Sequence, residues 1–341
     1  MEKLKIIRKF ILGLPLSEAE FKIRGFETGL PAQDRLELVA KTVVNAYNIS
    51  LEYGLSKSLS IAIAQVSNEL SGFFHEGVAM GLFTLDLCSI GNKSRLYQFI
   101  EGEGKNHAYM SYIGAGIATA IFRNNSFEYF TTKANSEGES LFLNGIGFYN
   151  AYFKPKKTLK EMFIPRSFAG KESYFLEGYD NGIGRAVWFY NSGEPTKISE
   201  TLNAFPEARR GAIWAGIGLA ATYAGGVSEA KIRLLKKLAG KYAYRLGEGS
   251  FLATHTRRLA GNPHPNDTTE RILTGRSSVE CHEFATEIIE KTLRGEKYID
   301  GKPSFQLFLS IIRDWVISNQ SSDVYVDGVK SDNTLLAQVN L

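Results

Sequence analysis

The chain has 341 residues, 44% of them hydrophobic, which suits a single large domain with its own core. Lys and Arg (40) nearly balance Asp and Glu (36), and no basic block stands out, so the clustered positive charge that nucleic-acid binding needs is missing and no nucleic-acid partner is expected. Two cysteines, Cys88 and Cys281, cannot make a disulfide framework and point to a reducing, cytoplasmic setting.

The N-terminus is basic and then apolar, like a secretory signal. Its apolar run (10–16) is short, holds Pro15 and meets no small-residue cleavage site, so an amphipathic first helix is the better expectation. Residues 35–49 place Leu36, Val39, Val43, Val44 and Tyr47 at helical intervals, and 57–70 continue in the same manner. The uncharged stretches 108–122 and 212–227 fall short of the roughly 20 residues a membrane span requires, so the protein is not expected to be transmembrane. Residues 228–246 predict one helix capped by Ser228, with Ile232, Leu235, Leu238 and Tyr242 as its apolar stripe. Further helices are predicted over 277–293 and 304–318, followed by a polar tail (321–341) with a short alternating piece, VYVDGV.

Between these segments a Gly-x-Gly pair recurs: Gly114/Gly116, Gly145/Gly147, Gly182/Gly184 and Gly216/Gly218, at steps of 31, 37 and 34 residues. Weaker copies sit at Gly77/Gly81 and Gly247/Gly249. A period of this size marks stacked supersecondary units. The segment GIGLAA (216–221) formally fits a dinucleotide fingerprint, but Lys236 and Lys237 stand where an acidic residue is needed. Strand is compatible with these stretches. However, Gly225-Gly226 directly before the Ser228 cap favours a helix–turn–helix hairpin. An interior helical glycine costs about 1 kcal/mol relative to alanine, so the pairs imply close helix–helix approach against large partners. The expected fold is therefore all-α: a single domain over 1–320 of stacked helical hairpins, a solenoid or closed superhelix of tetratricopeptide-like character. An echo between 20–125 and 140–320 suggests two related halves.

Charge inside such apolar repeats is costly unless paired or used. Glu76, Asp86, Glu177, Asp180 and Arg185 are the candidate catalytic groups, because paired carboxylates on one face can do acid–base work. The alternative is an Arg185 ion pair that ties two repeats together. His75, Tyr112, Trp188, Trp214 and Tyr223 are the candidate substrate-binding residues. His255 and His264 lack nearby carboxylates or thiols in metal-ligand register. Cys281, His282 and Glu283, adjacent on a helix, point in different directions. No phosphate-binding loop, nucleophile elbow or zinc-protease motif occurs, and no cofactor or metal is expected.

In order along the chain stand Arg24-Gly25-Phe26, His75-Glu76-Gly77, YIGAG (112–116), NGIGF followed by YF (144–153), DNGIGRAVWF (180–189) and WAGIGLAATYAGG (214–226). Together they resemble the domain-of-unknown-function 1702 family, some of whose members are encoded in enediyne polyketide gene clusters. The chain departs from the family pattern at Thr269 and Glu270, where small residues or Cys are usual. The resemblance implies a biosynthetic role in secondary metabolism on a lipophilic polyene, polyketide or isoprenoid, through acid–base or cyclase-type chemistry on carboxylates. It brings no established catalytic residues. The alternative is a non-catalytic helical-repeat scaffold that docks pathway enzymes.

Overall fold

The computed structural model describes residues 8–320 except 90, 92, 123–129, 131–132 and 169–170. The described chain is predominantly helical, with a single two-stranded antiparallel ladder pairing Tyr298 with Pro303 and Ile299 with Lys302. The predicted tail at 321–341 lies outside the described residues.

Seven long helices carry the architecture: α1 Gln33–Tyr53, α2 Ser71–Leu87, α3 Ala108–Phe122, α4 Ser136–Phe153, α5 Ser173–Tyr190, α6 Glu207–Tyr223 and α7 Ala243–Leu259. Each packs against the next in chain order. Contacts climb together along neighbouring helices: Gly77 meets Val43 and Ala46 of α1, and Gly81 meets Tyr47 and Ser50. At the other end of the row, Arg245 bonds Gly211 near the start of α6, and Arg257 bonds Tyr223 at its end. The long helices are thus parallel. The return is made by connecting segments, several holding a shorter helix (Lys57–Ala64, Arg95–Glu101, Pro195–Asn203 and Glu229–Ala239).

The recurring glycine pair follows from this arrangement. At 3.6 residues per turn, positions i and i+2 point to nearly opposite sides of a helix, so each pair offers one notch to the preceding helix and one to the following helix. A Cβ on Gly116 would sit 2.0 Å from the Phe142 carbonyl oxygen of α4, and one on Gly114 would sit 2.1 Å from the Glu76 carbonyl oxygen of α2. Gly184 and Gly216 repeat the device reciprocally: a Cβ on either would lie 2.9 Å from the other's Cα. Helix, not strand, is therefore the state of every Gly-x-Gly stretch.

Three sequence expectations are corrected at their ends. The helix predicted over 228–246 is two, because Gly240 turns the chain at φ 53° between Glu229–Ala239 and α7. The segment 57–70 stops being α-helical at Ala64 and resumes as a short 3₁₀ turn at Asn68–Leu70. The C-terminal part of 277–293 loosens to a π-turn after Ile288. The remaining helices are α8 Thr268–Thr274, α9 Ser278–Ile288, which opens with a Ser277/Glu280 capping box, and α10 Ser304–Asn319.

The row bends enough to bring the starts of α1 and α2 against the end of α6. Arg35 of α1 donates to the Ala224 carbonyl, and Gly226 lies against Ala32. The Phe73 ring of α2 packs edge-on against Tyr223 at 5.1 Å.

Candidate functional site

Glu76 lies in the middle of α2, a helix buried on all sides from Gly72 to Asp86. Burial of an isolated carboxylate there would be prohibitive, and Arg185 of α5 reaches across the curl to offset it. Its Nη2 donates to Glu76 Oε1 (3.1 Å) and Oε2 (3.4 Å), and its Nη1 donates to Asn144 Oδ1 of α4 at 2.8 Å. Asn144 in turn donates to Asn181 at 2.6 Å, and the Arg185 guanidinium lies 4.8 Å from the centre of the Phe148 ring. Burial pushes the Glu76 carboxyl above its ordinary range, against the pull of Arg185.

This pair forms the charged lining of an otherwise apolar cavity of about 40 Å³, walled by Val39, Val44, Phe73, Met80, Ile117 and Phe189. Leu14, Val43, Phe148 and Phe153, each half-buried, surround its outer side. The space holds a few water molecules as it stands, so a larger occupant must swing these half-buried side chains outward. Tyr223 borders the same centre: it is within electrostatic reach of Glu76 and Arg185, and burial pushes its phenol up to about 12. Its hydroxyl is buried and makes no hydrogen bond among the described residues.

The other candidate carboxylates are placed elsewhere and are consumed by arginines or amides. Asp180 accepts from Arg209 Nε at 3.0 Å, while Arg209 Nη1 also holds the Met162 carbonyl at 3.0 Å. Glu177 accepts from Arg245 of α7 (2.6 Å) and Arg313 of α10 (2.8 Å), and both arginines also pair with Glu248. Burial raises the Glu177 carboxyl, but those two guanidinium groups outweigh it and hold it below its ordinary value. Asp86 accepts from the backbone amides of Arg95 and Leu96 and from the Arg95 side chain, so it clamps the start of the helix Arg95–Glu101.

Among the substrate-binding candidates, Tyr223 lies within electrostatic reach of Glu76 and Arg185, but none of His75, Tyr112, Trp188, Trp214 and Tyr223 lines the apolar cavity. His75 donates to the Ser71 carbonyl and stacks on His107 at 3.9 Å. Tyr112 packs edge-on against Phe130, and Trp214 is buried in the core. Trp188 donates its Nε1 to the Gly225 carbonyl at 3.1 Å.

That last bond belongs to a set which sequence reading missed. The four carbonyls that end α6 each have a side-chain donor: Thr222 from His264, Tyr223 from Arg257, Ala224 from Arg35 and Gly225 from Trp188. A helix leaves its last carbonyls unsatisfied, and here residues from 35 to 264 converge to satisfy them. Beside this helix end lies a second, polar cleft of about 280 Å³, bounded by Arg35, Glu69, His264, Thr269 and Glu270. Nothing in the polar segment 262–275 signalled it, because burial and not residue type sets Glu270 apart there. The His255–His282 contact, 3.1 Å between Nδ1 atoms, was likewise not readable from spacing. Among the described residues no group of three or more His, Cys, Asp or Glu is placed to hold a metal ion, and no helix is long and apolar enough to cross a membrane.

Fold and site together define an all-helical protein whose parallel helices cross at glycines around a buried Glu–Arg centre. The chain belongs to the family described as protein of unknown function DUF1702, whose model matches residues 3–316. No curated protein and no solved structure matches it.

Proposed function

We propose that the protein binds a lipophilic small molecule, of the polyene, polyketide or isoprenoid class, in the apolar cavity beside Glu76 and Arg185, and acts on it in secondary metabolism of the kind the enediyne-cluster resemblance implies. The observation that carries this reading is an aliphatic and aromatic wall with one carboxyl and one guanidinium facing into it. Pockets of that make-up hold ligands by apolar contact and orient them by a few polar groups. Glu76 is the acid–base group, because it faces the apolar space and burial raises its affinity for a proton above that of a free carboxyl. Arg185 positions Glu76 and can engage a ligand carbonyl or carboxylate through its planar fork. The rings of Phe73, Phe148, Tyr152 and Phe189 suit stabilisation of a developing cation if a polyene is protonated. Under this reading Asp180, Glu177 and Asp86 serve as ties between elements. The stacking of one long with one shorter helix is the repeat, closed into a superhelix around the site.

The test uses the polyene fatty acid cis-parinaric acid, which fluoresces when taken up by an apolar site. The native chain is expected to bind it, and Val43→Trp at the half-buried outer side to weaken binding by about tenfold, the scale of a lost core-sized contact. Glu76→Gln keeps the volume and is expected to keep binding while abolishing turnover in a producing strain. A folded Val43→Trp that binds the probe as well as the native chain sinks the cavity reading and favours the scaffold alternative.

A further inference from the structure

The polar cleft at the end of α6 shares no lining residue with the apolar cavity and stands independently of the function proposed above. The cationic and imidazole donors beside it are already engaged. His264 gives its Nε2 proton to the Thr222 carbonyl, Arg257 binds the Tyr223 carbonyl, and Arg35 is divided between the Ala224 carbonyl and Glu69 at 2.7 Å. What remains open is a set of acceptors. Glu270 is only 2% exposed, lines the cleft, and makes no salt bridge or side-chain hydrogen bond to another residue among those described. The second ring nitrogen of His264 is an acceptor once Nε2 carries the proton, and Thr269 and Glu69 add further oxygens. The negative end of the α6 dipole faces the same space.

We propose that this cleft is a binding site for a small organic cation carrying N–H donors, a primary ammonium above all, with Glu270 as its counter-charge. A buried carboxyl held only by its own backbone amide is costly for a fold to keep, and a ligand that supplies both charge and donors relieves that cost. The volume, about 280 Å³, suits a molecule of a few heavy atoms.

The charges around Glu270 are Asp267 on its own segment, Arg257 and Arg258 on α7, and Arg35 with Glu69 across the cleft. Burial, with Asp267, outweighs the hydrogen bond from its own amide and the two α7 arginines and lifts the Glu270 carboxyl to about 7, whereas burial holds the His264 pKa low, at about 4. An ammonium binds the ionised carboxylate, so its binding releases a proton at neutral pH and weakens as pH falls, by up to about tenfold per unit below the carboxyl's pKa.

The test is titration calorimetry of the full chain with ethanolamine, and with tetramethylammonium as a cation lacking donors, at about pH 8 and about pH 6. Ethanolamine is expected to bind more tightly at the higher pH, and to release protons near neutrality as judged from buffers of different ionisation heat. Tetramethylammonium is expected to bind at least about tenfold more weakly, having no N–H groups to satisfy the acceptors. Glu270→Gln, which removes an unpaired buried charge, is expected to fold as stably as the native chain at about pH 8 and to lose ethanolamine binding. The proposal is overturned if ethanolamine does not bind the native chain, or binds more tightly at lower pH. It is equally overturned if folded Glu270→Gln binds it unchanged. The pH dependence of the native chain decides the matter even if the variant does not fold.

Discussion

Gly216→Ala is expected to destabilise the protein, although alanine is the better helix former. The intrinsic gain is about 1 kcal/mol. Against it, a Cβ at Gly216 would stand 1.8 Å from the Asn181 carbonyl oxygen and 2.9 Å from the Gly184 Cα, both main-chain atoms of α5. Main chain cannot swing aside as a side-chain end can, so α5 and α6 must separate along their length, and their shared apolar surface opens. Overpacking of this kind costs about 1–3 kcal/mol even where side chains yield, and a rigid obstruction puts this site at or above the upper end. Gly211 of the same helix is the internal control. A Cβ there would meet Arg245 side-chain atoms at 3.8 Å, ordinary contact, so Gly211→Ala is expected to gain up to about 1 kcal/mol. Urea unfolding of the two variants in parallel reads the difference. Equal stability for both would show that the crossing glycines are not packing notches.

The second large effect concerns Asp180. Asp180→Ala is expected to cost about 3–5 kcal/mol, the usual penalty for stranding one member of a buried pair. Asp180 is 1% exposed and Arg209 6%. With the carboxylate gone, the guanidinium keeps the Met162 carbonyl but loses its counter-charge. The double change Asp180→Leu with Arg209→Met is expected to recover most of the loss, because well-packed apolar residues often replace a buried pair at little cost. A single variant that loses less than about 1 kcal/mol in urea titration would refute the tie. A double variant with native stability that still binds cis-parinaric acid would set Asp180 apart from the acid–base chemistry assigned to Glu76.

The helices were largely legible because their cause is local. The stripe Leu36, Val39, Val43, Val44, Tyr47 marks α1, which extends a few residues beyond it at each end. The glycine notches were legible as notches. Their division into one for each neighbour was not, since the pattern alone does not say that a helix has a neighbour on both sides. The break at Gly240 was missed because an apolar stripe runs on through Tyr242, and only the left-handed φ of 53° interrupts it. The site was legible in its members but not in its bonds. Glu76 and Arg185 stood out as charge in apolar surroundings, yet 109 residues separate them, and nothing local to either names the other. Asp180 lies near Arg185 in sequence but pairs with Arg209, and Glu177 finds its partners on α7 and α10. Such pairings are set by how far the row curls, a global quantity. Glu270 was overlooked for the converse reason: among neighbours such as Arg271 and Asp267 it looked like one more solvated charge, and only burial makes it conspicuous.

The parallel row has one further consequence. A helix with a notch on each side can stand between any two of its kind, so α3 and α4 could in principle be joined by another such unit without a new kind of contact. The members at the ends are specialised: α2 turns both Gly77 and Gly81 toward α1, and α7 offers Gly249 to α6 while Gly247 faces Val316 of α10. The neighbour-to-neighbour geometry therefore leaves the number of helices undetermined. The bond from Arg185 on α5 to Glu76 on α2 spans the two helices between them, so it acts as a ruler for that interval alone, and the helices before and after it are counted by other contacts.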